Sequence, residues 1–408
     1  MMYNVADFYN QYINSNFILL EQKGLITYWR NIVMYITYIN QAKMQKITCS
    51  TDIVTERNIA YANRENGTLI LLCKDAKELL RNGVDSKYTT YYKKKSNGQK
   101  RQINVPDDEL KAFMRKVVKA FTTMPGFIWP DTMYAFIEGR GIKQHANLHK
   151  DAEVIIKMDI KNFFDSCTFK FVAESMHKVY PFCLMDWSLL EPIIKACMLK
   201  GRLAQGAPTS PILSSIAMIP FVTEANNWAK SKTVTVHRWE EILPRRESET
   251  RNVFWAERKR QITFSIYADD IVVSLNIKGC KGIRIRNVKK MIRKIFYKCT
   301  PLRLNEDKTQ YIDVQRKGGA WVTGLMINKE HNVTVGREKK EKLKATIFSF
   351  LADCKNGKPW DEHRVRQMMG TVSYIHSIEP EFVDMIIEKY NQKLEIDYHE
   401  QIRNILYS

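Results

Sequence analysis

Apolar residues recur every three or four positions from Phe8 to Ile39 and again from Leu69 to Leu80, the spacing of amphipathic helices. The pattern then changes. "YYKKKSNGQKRQINVP", Tyr91–Pro106, reads as strand, Ser-Asn-Gly turn and strand. Pro106 ends it, and "DDELKAFMRKVVKAF" opens a helix whose acidic first turn suits the helix dipole. "AEVIIKMDI", Ala152–Ile160, is apolar enough for a strand buried on both faces, with a helix beginning near Lys161. Residues 262–266 and 271–275 form a second hairpin, with Ile262, Phe264 and Ile266 alternating onto one face. From about residue 337 the chain is helical and basic, and another helix runs on from Asp361. No internal repeat or low-complexity linker interrupts this order. It predicts an α+β core flanked by helical modules.

Composition adds a partner. The 408 residues carry 64 Lys and Arg against 44 Asp and Glu, a net charge of +20. Such a surplus favours a polyanion such as nucleic acid. The eight cysteines are scattered, with no CxxC spacing, so neither a zinc knuckle nor a redox pair is indicated and reduced thiols of a cytoplasmic protein are expected. The sequence opens without a basic segment leading into an apolar run, and its longest apolar stretch, Ile32–Ile39, is far too short to span a bilayer. A soluble, cytoplasmic protein with no membrane contact is the expectation.

Within the second hairpin stand two adjacent aspartates, Asp269 and Asp270. Two like charges about 4 Å apart in a protein-like dielectric repel by roughly 4 kcal/mol. A solvated turn would tolerate them, since Asp is a common turn residue. Asp159, at the end of the apolar "VIIKMD", suggests more, because an ionised group there needs compensation. If the two strands are neighbours, three carboxylates meet. A pair of Mg²⁺ ions would then turn repulsion into attraction, using the oxygen ligands that ion prefers and the arrangement that serves in-line phosphoryl transfer.

Five ordered segments carry a resemblance. "YADD" at Tyr267–Asp270 resembles the catalytic signature of reverse transcriptases, and "MDIKNFFDS" at Met158–Ser166 their first carboxylate motif. "RLAQGAPTSPILSS" at Arg202–Ser215 resembles the segment beside the incoming nucleotide, "NEDKTQYI" at Asn305–Ile312 the later lysine motif, and "KKKSNGQKRQINVP" the fingers. The likeness spans about 88 to 330. "WVTGLMIN" at Trp321–Asn328 and "HANLHK" at His145–Lys150 are similar to elements of bacterial retron-type enzymes, although His145 stands where that group has Asn. The stretch 226–261 is longer and more charged than the family leads one to expect.

The resemblance implies a right-hand polymerase fold: a helical extension over 1–85, fingers and palm over 86–330, and a helical thumb over 331–408. Asp159, Asp269 and Asp270 would be catalytic and hold two Mg²⁺ ions, the Ile160 carbonyl completing the shell. Phe164 would lie under the nucleotide sugar and reject a 2′-hydroxyl, with Phe163 as its core neighbour. Arg101, with Lys94 or Lys95, would grip the triphosphate. Gln205 and Gly206 would pack against the nucleotide, and Lys308 would stand near the leaving pyrophosphate. Tyr267 would support the primer end. His145 and His149, four apart with no evident third metal ligand, are expected to be structural or to contact RNA, His149 on the primer–template side. Arg337, Lys339, Lys340 and Lys344 of the thumb would hold the duplex.

Implied as well is RNA-templated DNA synthesis from dNTPs on a dedicated structured non-coding RNA. The product would be an RNA–DNA hybrid (msDNA), made in anti-phage defence beside an effector protein. Two rivals remain open: a defence reverse transcriptase making repetitive or untemplated DNA, and a non-catalytic RNA-binding scaffold.

Overall fold

The computed structural model describes residues 56–94, 98, 100–124, 127–232, 234–242, 252–276 and 285–407, with backbone alone for 56–66, 234–242 and 252–260. The helical pattern from Phe8 to Ile39, most of the 1–85 extension, Lys95 and most of the first hairpin's tip lie outside the described residues.

Strands β1 (Tyr88–Lys94) and β2 (Lys100–Pro106) form the antiparallel fingers hairpin. Strand β3 (Val154–Ile160) carries the first carboxylate. A second hairpin, β4 (Val234–Ile242) with β5 (Asn252–Arg260), grows out of the charged stretch that the sequence marked as an insertion. Strands β6 (Ile262–Tyr267), β7 (Asp270–Leu275) and β8 (Leu304–Asp313) complete the palm, a four-stranded sheet in the order β6-β7-β3-β8. Three short strands, β9 (Gly319–Val322), β10 (Leu325–Asn328) and β11 (Val333–Thr334), make a small sheet beyond it.

The palm sheet separates two hydrophobic cores. Ile156, Met158, Phe264, Ile266, Ile271 and Val273 face one core, which extends into the fingers. Behind them runs the helix Ser210–Ser231, apolar almost all round and therefore buried, with Phe221 packed edge-on against Phe264 at 5.5 Å and Phe296 at 5.2 Å. In the fingers the helix Asp108–Thr122 is capped by the Asp107 carboxylate, which accepts from the Leu110 N–H at 2.8 Å. Leu110, Phe113, Met114, Val117 and Phe121 form its buried stripe, each worth about 1.5–3 kcal/mol of burial.

Ile155 and Val272, on the opposite face of the palm, belong to the second core. That core is filled by β9–β11 and four C-terminal helices, Arg337–Lys355, Glu362–Ile378, Pro380–Leu394 and Tyr398–Leu406. Phe350 anchors it, with Trp360 at 5.4 Å and Tyr398 at 5.9 Å. The small sheet thus packs with the helical module although two of its three strands, β9 and β10, precede residue 331. Among the described residues no helix is long and apolar enough to cross a membrane.

Candidate active site

The strand register brings Asp159 directly across from Asp270. Residues opposed in this way share a sheet face, so both carboxylates stand on the face turned toward the thumb-side core. Asp269 lies in the two-residue turn between β6 and β7, where Tyr267 pairs with Asp270. Its carbonyl accepts the Ile160 N–H at 2.9 Å, which ties the turn to the end of β3. Ala268 adopts a left-handed φ of 54°, a conformation that costs an L-residue about 1–2 kcal/mol. Such strain is concentrated at functional sites.

Burial pushes the Asp269 carboxyl above its ordinary range, and the nearby Asp159 charge adds to the shift. Asp270 is raised too, again chiefly by burial and then by Asp269. The Lys308 ammonium, reaching over from β8, donates to the Asp159 carboxylate at 3.0 Å. A cation therefore already sits on the first carboxylate, while burial and neighbouring carboxylates outweigh the more distant cations at the other two. Among the described residues no three His, Cys, Asp or Glu side chains converge into a ready-made metal cage. The donors are nonetheless all hard oxygens on adjoining strands, and their repulsion is what a divalent cation relieves. They fit one.

Phe164 is half-buried and Phe163 buried, their rings 5.4 Å apart. Beside Phe164, at 6.3 Å, stands Phe136, an exposed aromatic in a left-handed conformation that the sequence reading passed over. Its loop runs along β6, bonded through the Tyr134 N–H to the Ile266 carbonyl at 3.1 Å. Arg140 clamps that loop by donating to the carbonyls of Met133 at 2.8 Å and Trp129 at 3.2 Å.

At Gly206 the fingers close on the palm. The Gln205 carbonyl accepts from the Asn104 N–H at 2.7 Å, and a Cβ on Gly206 would lie 2.7 Å from the Asn104 carbonyl oxygen. The missing side chain admits the backbone of strand β2. The Gln205 amide reaches the Asp165 carboxylate at 3.4 Å.

Several expectations are corrected by register and burial. Arg101 pairs across the hairpin with Lys93, whereas Lys94 pairs with Lys100. Opposed residues share a face, so Lys93 accompanies Arg101 and Lys94 points the other way. Only the register could have revealed Lys93. His149 is 1% exposed and so cannot touch a primer or template: its imidazole bonds Ser274 at 2.7 Å and Ser265 at 2.6 Å. Three thumb lysines are half-exposed and already hold partners within the protein. Lys339 donates to the Gly324 carbonyl at 3.1 Å and lies over the Tyr374 ring. Lys340 pairs with Glu379 over the Phe382 ring. Lys344 bonds Glu341 at 2.9 Å and lies 5.8 Å from the same ring. Arg337 alone of the four is exposed without such a commitment among these contacts.

This site coincides with a match to a known family. Residues 92–335 fit the family model described as reverse transcriptase (RNA-dependent DNA polymerase). The chain belongs to the reverse transcriptase family. Its curated relatives include the Retron Ec83 reverse transcriptase of Escherichia coli, 24% identical over 77% of this chain and 90% of that protein. The Retron Ec73 reverse transcriptase of the same organism is 26% identical over 78% of this chain and 91% of its own. The Retron Mx162 reverse transcriptase of Myxococcus xanthus is 26% identical over 72% of this chain but 58% of the longer relative. Among solved structures, telomerase from Candida albicans superposes with a TM-score of 0.38 at 10% identity, over 79% of this chain and 61% of that one, too loosely to add to the assignment. The retron-type resemblance read from the motifs is met by these relatives, and the chain is an RNA-directed DNA polymerase of right-hand fold, from a family that depends on divalent metal.

Proposed function

We propose that this reverse transcriptase copies part of a dedicated structured RNA into single-stranded DNA, in the manner of a retron, within an anti-phage defence system that includes an effector protein. What supports this reading most is the pairing of Asp159 with Asp270, beside Asp269, in a chain whose relatives bear retron names. The hard-oxygen donor set favours Mg²⁺. Asp159, Asp269 and the Ile160 carbonyl would hold the ions, with Asp270 contributing less directly. When bound, such ions stabilise the attacking and leaving oxygens of an in-line displacement.

The protein's own groups do the rest. Arg101 and Lys93, on one face of the fingers hairpin, grip the triphosphate of a dNTP, the guanidinium by paired hydrogen bonds. Phe164 closes the space beneath the sugar. Tyr267 supports the primer end, whose hydroxyl attacks the α-phosphorus as pyrophosphate leaves. Lys308 releases Asp159 and turns to the leaving group, to which its ammonium can give a proton. The surplus of 20 positive charges suits a template–primer and a bulky structured RNA.

The test is extraction of nucleic acid from cells expressing the protein with its neighbouring genomic DNA. One short, defined single-stranded DNA joined to RNA is expected, and it should vanish in the Asp269→Asn, Asp270→Asn variant. Heterogeneous repetitive DNA would replace the retron reading. Defence that persists in the double variant would favour a scaffold.

A further inference from the structure

Behind the catalytic hairpin lies a line of polar side chains that the chemistry above leaves unused. Thr323 Oγ1 is 3.1 Å from His145 Nδ1, His145 Nε2 is 2.7 Å from Ser265 Oγ, Ser265 Oγ is 2.6 Å from His149 Nε2, and His149 Nδ1 is 2.7 Å from Ser274 Oγ. Ser265 and His145 are fully buried, and His149 and Ser274 nearly so. A hydroxyl and a neutral imidazole each donate once and accept once along such a line. When Ser265 donates to one imidazole and accepts from the other, the four contacts run in one of two orders, from Thr323 to Ser274 or back, and either satisfies every member. Both imidazoles are neutral, since burial lowers His145 to about 3 and holds His149 well below its ordinary value.

The line joins parts that do different work. Ser265 lies two residues before Tyr267 on β6, on the same face of the strand. The His145 ring is held between the rings of Tyr267 at 5.7 Å and Tyr134 at 5.1 Å. At the far end Thr323 and Gly324 form the two-residue turn between β9 and β10, both with positive φ (45° and 82°), as a tight hairpin turn requires. The Gly324 carbonyl in turn accepts from Lys339 of the first thumb helix. A path of hydrogen bonds thus leads from that helix through the 323–324 turn and His145 to the strand that presents Asp269. Apolar residues would have filled the same space with fewer constraints. A fully satisfied polar line selects one arrangement of the two units.

We infer that His145 and Thr323 are positioning residues, a joint that fixes the thumb against the catalytic hairpin so that a template–primer lying along the thumb presents its primer end to Tyr267 and the carboxylates. The joint acts on the annealed template–primer and leaves the dNTP grip, built on the fingers, alone.

Steady-state extension by the full chain on an RNA template annealed to a DNA primer tests this. Thr323→Val, which keeps the shape and removes the hydroxyl, should raise KM for the annealed primer by about tenfold with KM for dNTP within about twofold. Thr323→Ser should restore it. His145→Phe keeps the ring between the tyrosines and should behave as Thr323→Val does, and the double variant should be no worse than His145→Phe alone. If His145→Phe fails to fold, the Val and Ser variants of Thr323 decide by themselves. The inference is overturned if Thr323→Val matches the wild type, if both KM values and the melting temperature move together, or if the two losses multiply.

Discussion

Asp269 is held in place by backbone, through the Ile160 N–H on its carbonyl and a strained Ala268 before it, which keeps its carboxylate near the neighbouring charges. Removing that charge should have two opposite effects. Asp269→Asn is expected to lower kcat by roughly a thousandfold or more, the scale of lost metal-assisted stabilisation. In metal-free buffer at neutral pH the same variant should melt at a higher temperature than the wild type, because a repelled, half-buried carboxylate is gone. Mg²⁺ should then raise the melting temperature of the wild type and not of the variant; calorimetry with and without the ion reads both. Phe164 makes a separate prediction. Phe164→Ala should admit ribonucleotides, raising the rNTP-to-dNTP ratio of kcat/KM by about a hundredfold, and an unchanged ratio would remove the ring from that role. Both residues were legible in the sequence because the residues next to them in the chain carry the signal. Phe136 was not, since its loop reaches Phe164 only through the fold.

A single register decides how the fingers hairpin works. Sequence alone pointed to Arg101 with Lys94 or Lys95, with no way to choose between the two lysines. Pairing Lys93 with Arg101 decides for Lys93 instead, because a slip by one position would exchange the two faces. Lys93→Ala should therefore raise KM for dNTP by about tenfold and Lys94→Ala by less than about twofold, in single-nucleotide incorporation at saturating primer. The first thumb helix shows the converse limit. Its run of lysines reads as a duplex grip, yet Lys339, Lys340 and Lys344 bend onto Tyr374, Phe382, Glu379 and Glu341. Long side chains lay their stems on apolar surface wherever an aromatic neighbour offers it, and those neighbours come from other helices that charge patterning does not see.

For the whole molecule, the buried His145 and His149 make stability depend on pH. Their folded values lie below the ordinary 6.5, so the unfolded chain binds protons that the folded chain refuses. Their contribution is complete above about pH 6.5 and is lost as pH falls toward 3, by up to about 1.4 kcal/mol per pH unit for each ring. Denaturation curves at pH 7.5 and 5 should show this loss, and His149→Gln should roughly halve it. The two histidines, expected from the chain to be structural or to contact RNA, are buried on the thumb-side face of the palm sheet, where Ser265, Ser274 and Thr323 join that sheet to the small one, a relation no local spacing encodes. The strand order has a further consequence, for synthesis on the ribosome. β3 is made early but lies between β7 and β8, which follow it by more than a hundred residues. Until residue 313 has left the exit tunnel, Asp159 has no neighbour on one side and no lysine upon it. A nascent chain halted before that point would hold no polymerase centre, however much of the fingers it had already folded.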